Sequence, residues 1–333
     1  MQCYKPKRWN MFLVMVLVIS VITASVGFYV FRAGSAAEAT LRFVSIVHRH
    51  GDRAPDRSYP LDPYKDKSFW PDGLGALSQR GKIGLHRLGN FLRQRYDGFL
   101  SAKYSPSEIF VFSSFYDRCL MSASLVLAGL YPPVGHQLWN PDLKWQPIPV
   151  HTVPLQYDDE EEGLPLPQWA HSIDRERLRS LSNIGTLKHF ATPAMNKLKS
   201  GVLINEILRN MKSKANAREK FERQMNLYSA HDSTIGNIWR GLNVTSDIER
   251  LFPSYGAALM IELHEIDGKY RVKILFKRSH LDDDLIVLKT EGCKDSQGKE
   301  TDAMCDLDIF SSALQHVVID NFDKACEIPM EQT

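Results

Sequence analysis

The segment LRFVSIVHRHGDR, which runs from Leu41 to Arg53, joins an apolar run to a cluster of charged residues. Its first part, Leu41 to Val47, is rich in Val and Ile and predicts a buried β-strand. Gly51 and Pro55 predict that the charged residues lie in a loop at the end of that strand. In α/β folds such junctions are where functional sites form, because the carboxyl ends of the strands meet at one edge of the sheet.

A second junction of the same kind lies further along the chain. Met225 to Ala230 predicts another buried strand, which leads directly into His231-Asp232-Ser233-Thr234. A helix is predicted to follow from Ile235 to Leu242. Because His50 and His231 both stand at strand ends, we expect them to share one pocket.

The rest of the chain alternates between helical and extended patterns and contains no internal repeat. Strands interleaved with helices predict an α/β fold. Two alternating stretches near the C-terminus, joined by Asp267-Gly268, predict a β-hairpin. Helices are predicted from Ser78 to Leu100 and from Arg175 to Lys214. Another helix is predicted to end at Leu130, with Ser113 and Ser114 as the candidates for its N-cap. Further strands are predicted at Ile109–Phe112, Ala257–Glu265 and Tyr270–Lys277.

Length and charge narrow the class of protein. With 333 residues the chain can form one large domain or two modest ones. Its formal net charge of +2 and the lack of a long Lys/Arg block argue against a general nucleic-acid binder.

The N-terminus contains an uncharged run, Met11 to Phe31, that is long enough to span a bilayer as a helix. Basic residues lie mostly before it, which places residues 1–10 in the cytosol and the rest of the chain, after a linker at 32–40, in the lumen or outside the cell. We therefore expect a signal-anchor at 11–31. The alternative is a cleaved signal peptide, because Ala37-Glu38-Ala39 fits a small-x-small cleavage site. The predicted destinations are the lysosome, the cell surface or, after cleavage, secretion.

Four of the five cysteines lie on the exported side, where disulfides persist. Cys293 and Cys305 bracket a short polar loop and are the predicted pair, although spacing alone does not exclude other pairings with Cys119 or Cys326. The fifth, Cys3, lies on the cytosolic side, where it is acylated or a plain thiol. Asn243-Val244-Thr245 is a glycosylation sequon, which suits a surface loop facing the lumen.

The residues Arg49-His50-Gly51-Asp52-Arg53 have the chemistry of phosphoryl transfer. Two flanking arginines disfavour protonation of His50 and so keep its imidazole nucleophilic. Attack of that imidazole on phosphorus would give a phosphohistidine, which divides a hard hydrolysis into two easier steps. The planar forks of Arg49 and Arg53 match phosphate oxygens and stabilise charge on the transferring group. The alternative, a charged surface loop, is disfavoured by the position of this motif directly after a buried strand.

The second junction supplies complementary groups. His231 can donate a hydrogen bond to a phosphate oxygen, and a protonated Asp232 can give its proton to the leaving alcohol. A carboxyl group that must be protonated to work favours activity at acid pH. A distant alternative is a metallohydrolase that uses His48, His50 and Asp52, but two arginines beside a dication site would be electrostatically adverse.

These motifs together resemble the histidine acid phosphatases, in particular the prostatic and lysosomal branch. The resemblance covers Leu41 to about Cys326 and rests on Arg49 to Arg53, on the run from Trp139 to Pro154, and on Ser229-Ala230-His231-Asp232. It implies a large α/β domain, with a central mixed sheet flanked by helices, and a smaller helical cap beside the active site. The resemblance also implies a phosphomonoesterase that needs no cofactor and works at acid pH. In such an enzyme His50 would accept the phosphoryl group and Asp232 would be the proton donor. The residues implied to bind phosphate are Arg49, Arg53 and His231. Relatives of this type are often homodimers.

One departure concerns a third phosphate-binding arginine. When the chain is aligned with the family on Ser113-Ser114, Phe112 stands at the position of that arginine, and Arg118 matches a different position. A phenylalanine cannot donate to phosphate, and loss of one such donor typically costs about 10²–10³ in rate. We therefore expect weakened activity.

A second departure is a gap after Leu155. The chain passes almost at once to Gly163–Trp169, so much of the helical cap is missing and only a reduced subdomain is expected around 155–200, within a phosphatase domain at 41–333. Cys326 matches a family cysteine whose partner would lie in the missing part. The sequence thus leaves two functions, an acid phosphatase with weakened activity and an inactive phosphate-binding relative, and it does not specify the substrate.

Overall fold

The computed structural model describes residues 38–58, 61–153, 193–216, 218–244, 253–293 and 304–320. The proposed anchor at 11–31, most of the reduced cap at 155–200, Thr245 of the sequon and Cys326 lie outside these residues. Within them, no helix has the length and apolar character needed to cross a bilayer.

A seven-stranded mixed sheet forms the centre of the fold, in the order β2-β3-β1-β4-β5-β6, with β7 paired to β5. β1 and β2 run parallel to β3, whereas β4, β5 and β6 continue the sheet in antiparallel pairs. The strands are β1 (Leu41–Arg49), β2 (Ile109–Ser113), β3 (Met225–Ala230), β4 (Ala258–Ile266), β5 (Lys269–Lys277), β6 (Ile286–Leu288) and β7 (Cys305–Asp306).

Helices cover both faces of the sheet, which confirms the predicted α/β class with a central mixed sheet. One face packs on α1 and α2, and the other packs on α3, α4 and α5. The helices are α1 (Gln79–Arg95), α2 (Asp117–Leu130), α3 (Pro193–Ala215), α4 (Asp232–Gly241) and α5 (Leu307–Ala313), with short 3₁₀ turns at Lys67–Phe69 and Gly135–Gln137. Residues 193–200 begin α3, so this end of the expected cap belongs to the main domain.

β1 is buried on both sides because its apolar residues alternate between the two cores. Phe43 and Val47 enter the core beneath α3 and α4, while Val44 and Ile46 enter the core beneath α1 and α2. A strand buried on both faces reads as a continuous apolar run rather than an alternating one. This explains why Leu41–Val47 gave a clear strand signal.

Two predicted helix starts need correction. α2 begins at Asp117 with Tyr116 at its N-cap position, so neither Ser113 nor Ser114 caps it. α4 begins at Asp232, three residues before the predicted start at Ile235. In both cases the turn that leads into the helix contains no Gly or Pro, so the sequence does not mark where the helix begins.

The remaining local predictions can be compared directly with the structure. Cys293 and Cys305 form a disulfide with their Cα atoms 5.2 Å apart, which confirms that pairing. Asp267 and Gly268 turn the β4–β5 hairpin with φ values of 52° and 71°, as a tight turn between twisted strands requires. Asn243 is exposed just after α4, and its glycosylation stays a prediction.

Candidate active site

The ends of β1 and β3 meet at one edge of the sheet and bring the two polar junctions together. The backbone N–H of His50 donates to the carbonyl of Ala230 at 2.9 Å, so the residues that follow the two strands lie side by side. The imidazole rings of His50 and His231 are 5.3 Å apart, centroid to centroid, in an edge-to-face arrangement. The structure therefore places both histidines in one pocket.

His50 is held as a neutral imidazole with one nitrogen committed to the backbone. Its Nδ1 lies 2.9 Å from the carbonyl oxygen of Gly51. A carbonyl only accepts, so Nδ1 carries the proton and Nε2 keeps its lone pair. Burial is the main reason why the pKa of His50 is lowered to about 2, and the electrostatic effects of the neighbouring Arg49, His231 and Arg118 also lower it. This is the state that a nitrogen nucleophile requires.

Arg49 is anchored from three sides. Nη1 donates to the carbonyl of Pro253 at 2.7 Å, and Nη2 lies 2.8 Å from Oδ2 of Asp232. Its guanidinium also lies 4.2 Å above the ring of Tyr255, a cation–π contact. The side chain is thus fixed beside His50 before any substrate binds.

Arg53 and Arg118 provide two more guanidinium groups at the pocket. The Nε atoms of both are buried and make no hydrogen bond within the described part of the chain. Buried donors of this kind normally have a partner, so these two N–H groups suit the oxygens of a bound oxyanion. Arg118 also rests on the ring of Tyr116 at 4.2 Å.

Sequence analysis gave Arg118 no part in the site, but the structure places it where its charge acts on His50. It lies in the first turn of α2, after a strand parallel to β1 and β3, and its charge lowers the pKa of His50. A basic residue in the first turn after a parallel strand was the signal that could have revealed it, because all such strands end at the same edge. Phe112, expected to mark a missing arginine, packs against the core beneath α3 and α4. In the part of the chain that the structure describes, Arg49, Arg53 and Arg118 bring three guanidinium groups to this site.

Asp232 and His231 occupy the start of α4. Asp232 is the first helical residue, forms the ion pair with Arg49 and accepts from the N–H of Ser233 at 2.9 Å. Nε2 of His231 lies 3.1 Å from the hydroxyl of Ser114 and 3.4 Å from the thiol of Cys119. Ser114 therefore supports the pocket rather than capping a helix.

The geometry does not support the metal alternative. Asp52 is engaged at the start of α1, where it accepts from the hydroxyl of Ser78 at 2.5 Å and lies 3.3 Å from Arg80. His48 is fully buried in the sheet, with Nδ1 3.2 Å from the carbonyl of Arg49. Across the described ranges, no group of three or more His, Cys, Asp or Glu side chains is arranged to hold a metal ion.

Comparison with known proteins identifies the family. A model of the histidine phosphatase superfamily (branch 2) matches residues 40–166 and 172–277. The chain belongs to the histidine phosphatase superfamily. It is 33% identical over 311 residues to prostatic acid phosphatase of Bos taurus, covering 73% of this chain and 79% of that relative. It is also 30% identical over 359 residues to lysosomal acid phosphatase of Xenopus laevis, covering 88% of this chain and 80% of that relative.

Solved structures support the same fold. The apo form of Hafnia alvei phytase superimposes with a TM-score of 0.60 at 18% sequence identity, covering 88% of this chain and 100% of the phytase. At 18% sequence identity, this similarity is evidence for a shared fold only. It agrees with the mixed sheet and the flanking helices described above.

Proposed function

We propose that this chain is an acid phosphatase that hydrolyses phosphate monoesters through a phosphohistidine on His50. The observation that carries the proposal is the neutral His50, with Nδ1 bound to a carbonyl and Nε2 available, among Arg49, Arg53 and Arg118. The acid phosphatases among its relatives support the same activity.

The first chemical step forms an N–P bond and breaks the ester P–O bond. Nε2 of His50 attacks phosphorus while the three guanidinium groups and His231 bind the equatorial oxygens. Asp232 gives its proton to the leaving alcohol. Phosphate binding at Arg49 competes with the Arg49–Asp232 ion pair, and a nearby anion favours the protonated carboxyl group that this step needs.

The second step reverses the roles. Asp232, now ionised, takes a proton from water as that water attacks phosphorus, and the P–N bond breaks to release inorganic phosphate and neutral His50. Every proton is accounted for by the carboxyl group, so the cycle uses only side chains of this chain and water.

The test is hydrolysis of an aryl phosphate between pH 4 and 8, with and without chelator. We expect activity at acid pH that survives the chelator and falls at least about 10³-fold in His50→Ala, since the covalent route is lost. His86→Ala, at an exposed position on α1, is the matched control. Rapid quenching in alkali, where the P–N bond of phosphohistidine survives, with a ³²P-labelled substrate should trap label on wild-type protein only. A folded wild-type protein that binds phosphate without hydrolysing esters would overturn the proposal in favour of the inactive relative.

We also propose that the apolar segment 11–31 tethers the phosphatase domain on the lumenal or extracellular side of a membrane. The support is the length of the segment and the basic residues before it. The homodimer implied by the resemblance is likewise a proposal, and light scattering of the purified protein tests it.

A further inference from the structure

A carboxylate joins two of the three pocket arginines. Asp56 lies three residues after Arg53, and its Oδ2 is 2.6 Å from Nη2 of that arginine. Its Oδ1 is 3.8 Å from Nη1 of Arg118. Among the described residues, Asp56 is the only acidic side chain that forms ion pairs with both Arg53 and Arg118.

This bridge connects two separate parts of the fold. Arg53 belongs to the loop after β1, whereas Arg118 belongs to the first turn of α2. Arg53 uses one N–H of Nη1 on the carbonyl of Ala54 and one N–H of Nη2 on Asp56, so its buried Nε–H is among the three N–H groups left for an oxyanion. Arg118 presents a buried Nε in the same way. Asp56 thus pairs with one outer nitrogen of each arginine, and the buried Nε–H groups stay available to a substrate.

The same carboxylate changes the charge of the pocket. Arg49 is already paired with Asp232, and Asp56 supplies one negative charge beside Arg53 and Arg118. A negative charge next to the phosphate site opposes binding of an anion. Its side chain is 50% exposed, so water and salt screen part of this effect. Inorganic phosphate is the product, and a hydrolase that bound it too tightly would be slow to release it.

We propose that Asp56 is a positioning residue that holds Arg53 and Arg118 side by side and limits the affinity of the pocket for inorganic phosphate. This inference rests on the proposed phosphatase function for its catalytic meaning. It concerns phosphate binding directly, so it can be tested apart from turnover.

The experiment compares Asp56→Asn with wild-type protein. The amide keeps the size of the side chain and one accepting oxygen but removes the charge. We expect the Kd for inorganic phosphate, measured by isothermal titration calorimetry, to fall about three- to tenfold, a modest change because the site is half exposed. With an aryl phosphate, KM should fall and kcat should fall with it, because product leaves more slowly and the two arginines are less firmly held.

Two control variants separate this role from general damage. Asp56→Glu keeps the charge and should leave the phosphate Kd within about twofold of wild type. Asp72→Asn removes a similarly exposed carboxylate of the same loop that pairs with Lys82, away from the arginines, and should change neither Kd nor kcat. An unchanged or raised Kd in Asp56→Asn overturns the inference. Wild-type protein that binds phosphate but hydrolyses nothing would refute the proposed function and leave this binding test intact.

Discussion

At the scale of single residues, the environment of His50 explains how a histidine nucleophile can work in acid. A solvated imidazole is largely protonated below pH 6 and then has no lone pair to attack phosphorus. Burial and the electrostatic effects of the neighbouring Arg49, His231 and Arg118 lower the pKa of His50 to about 2. The neutral, nucleophilic form of His50 therefore persists through the acid range.

Arg118 should matter more than Phe112 for catalysis. We predict that Arg118→Ala lowers kcat/KM for an aryl phosphate about 10²–10³-fold, the usual cost of a lost donor to the transition state. Arg80→Ala, whose side chain is 86% exposed outside the pocket, is the control and should keep wild-type kinetics.

The complementary variant is Phe112→Arg. It should give no gain in activity and a lower melting temperature, because it places a guanidinium against the apolar core beneath α3 and α4. A clear gain in kcat/KM would instead show that Phe112 limits the phosphate site.

His48 should make the fold sensitive to acid. Burial lowers its pKa from 6.5 to about 4, so the folded state holds it neutral while the unfolded state takes up a proton. Stability is therefore full above about pH 6.5 and decreases as the pH falls toward 4, by about 3 kcal/mol from this residue. We predict that His48→Phe removes most of that loss, as measured by urea unfolding at pH 7 and pH 4.5.

His50 is present in both proteins, so the difference between His48→Phe and wild type in stability lost on acidification reports on His48 alone. His136→Gln, at an exposed position, is the matched control and should follow wild type. If His48→Phe loses as much stability on acidification as wild type, the buried imidazole does not contribute in this way.

At the scale of elements, the pocket depends on how closely α1 and α2 pack. A Cβ added at Gly89 of α1 would collide with the backbone carbonyl of Val126 in α2, and one added at Gly129 would collide with the carbonyl of His86. Only glycine allows the two helix backbones to approach this closely. Since α2 carries Arg118 at its start, this contact also sets the position of that side chain.

We predict that Gly89→Ala destabilises the protein by about 1–3 kcal/mol or more, the cost of overpacking a rigid contact. Thermal unfolding should show a lower melting temperature, and KM should rise because α2 is pushed outward with Arg118. Asn90→Ala at the neighbouring exposed position is the control and should be close to neutral. A melting temperature for Gly89→Ala equal to that of Asn90→Ala would contradict the prediction.

At the scale of the whole molecule, the pocket and the start of the domain lie at opposite ends of β1. The strand has nine residues, so at about 3.3 Å per residue Leu41 is about 30 Å from His50. A tether that enters the domain before Leu41 would hold the membrane at the end away from the pocket. With such a tether, soluble phosphate esters would reach the pocket more readily than lipid phosphates of the same membrane.

We predict that release from the tether leaves turnover of a soluble aryl phosphate unchanged. The full chain in vesicles, with a protease site inserted in the linker at 32–37, should show kcat/KM within about twofold before and after cleavage, because a pocket far from the bilayer is already open to solvent. Phosphatidic acid in the same vesicles should be hydrolysed no faster by the tethered form. Faster lipid hydrolysis before cleavage would place the pocket at the membrane.

Much of the fold and of the candidate site could be predicted from the sequence, because the patterns that indicate them lie within short segments of the chain. Apolar β1 and β3 leading into His50 and His231 predicted the sheet edge and the shared pocket, and the short loop between Cys293 and Cys305 predicted their disulfide. Helix starts at Asp117 and Asp232 were missed, since a turn into a helix without Gly or Pro leaves little trace in sequence.

The sequence by itself determined the α/β class, the two strand-end motifs and the chemistry of a histidine between arginines, because strand burial and side-chain type are properties of short segments. Only the tertiary structure showed that the charge of Arg118 acts on His50, that Phe112 packs against the core beneath α3 and α4, and that Asp56 lies between Arg53 and Arg118. These contacts depend on how α2 packs relative to the loop that follows β1. Distances between residues far apart in the chain are fixed by packing, and no local pattern encodes them.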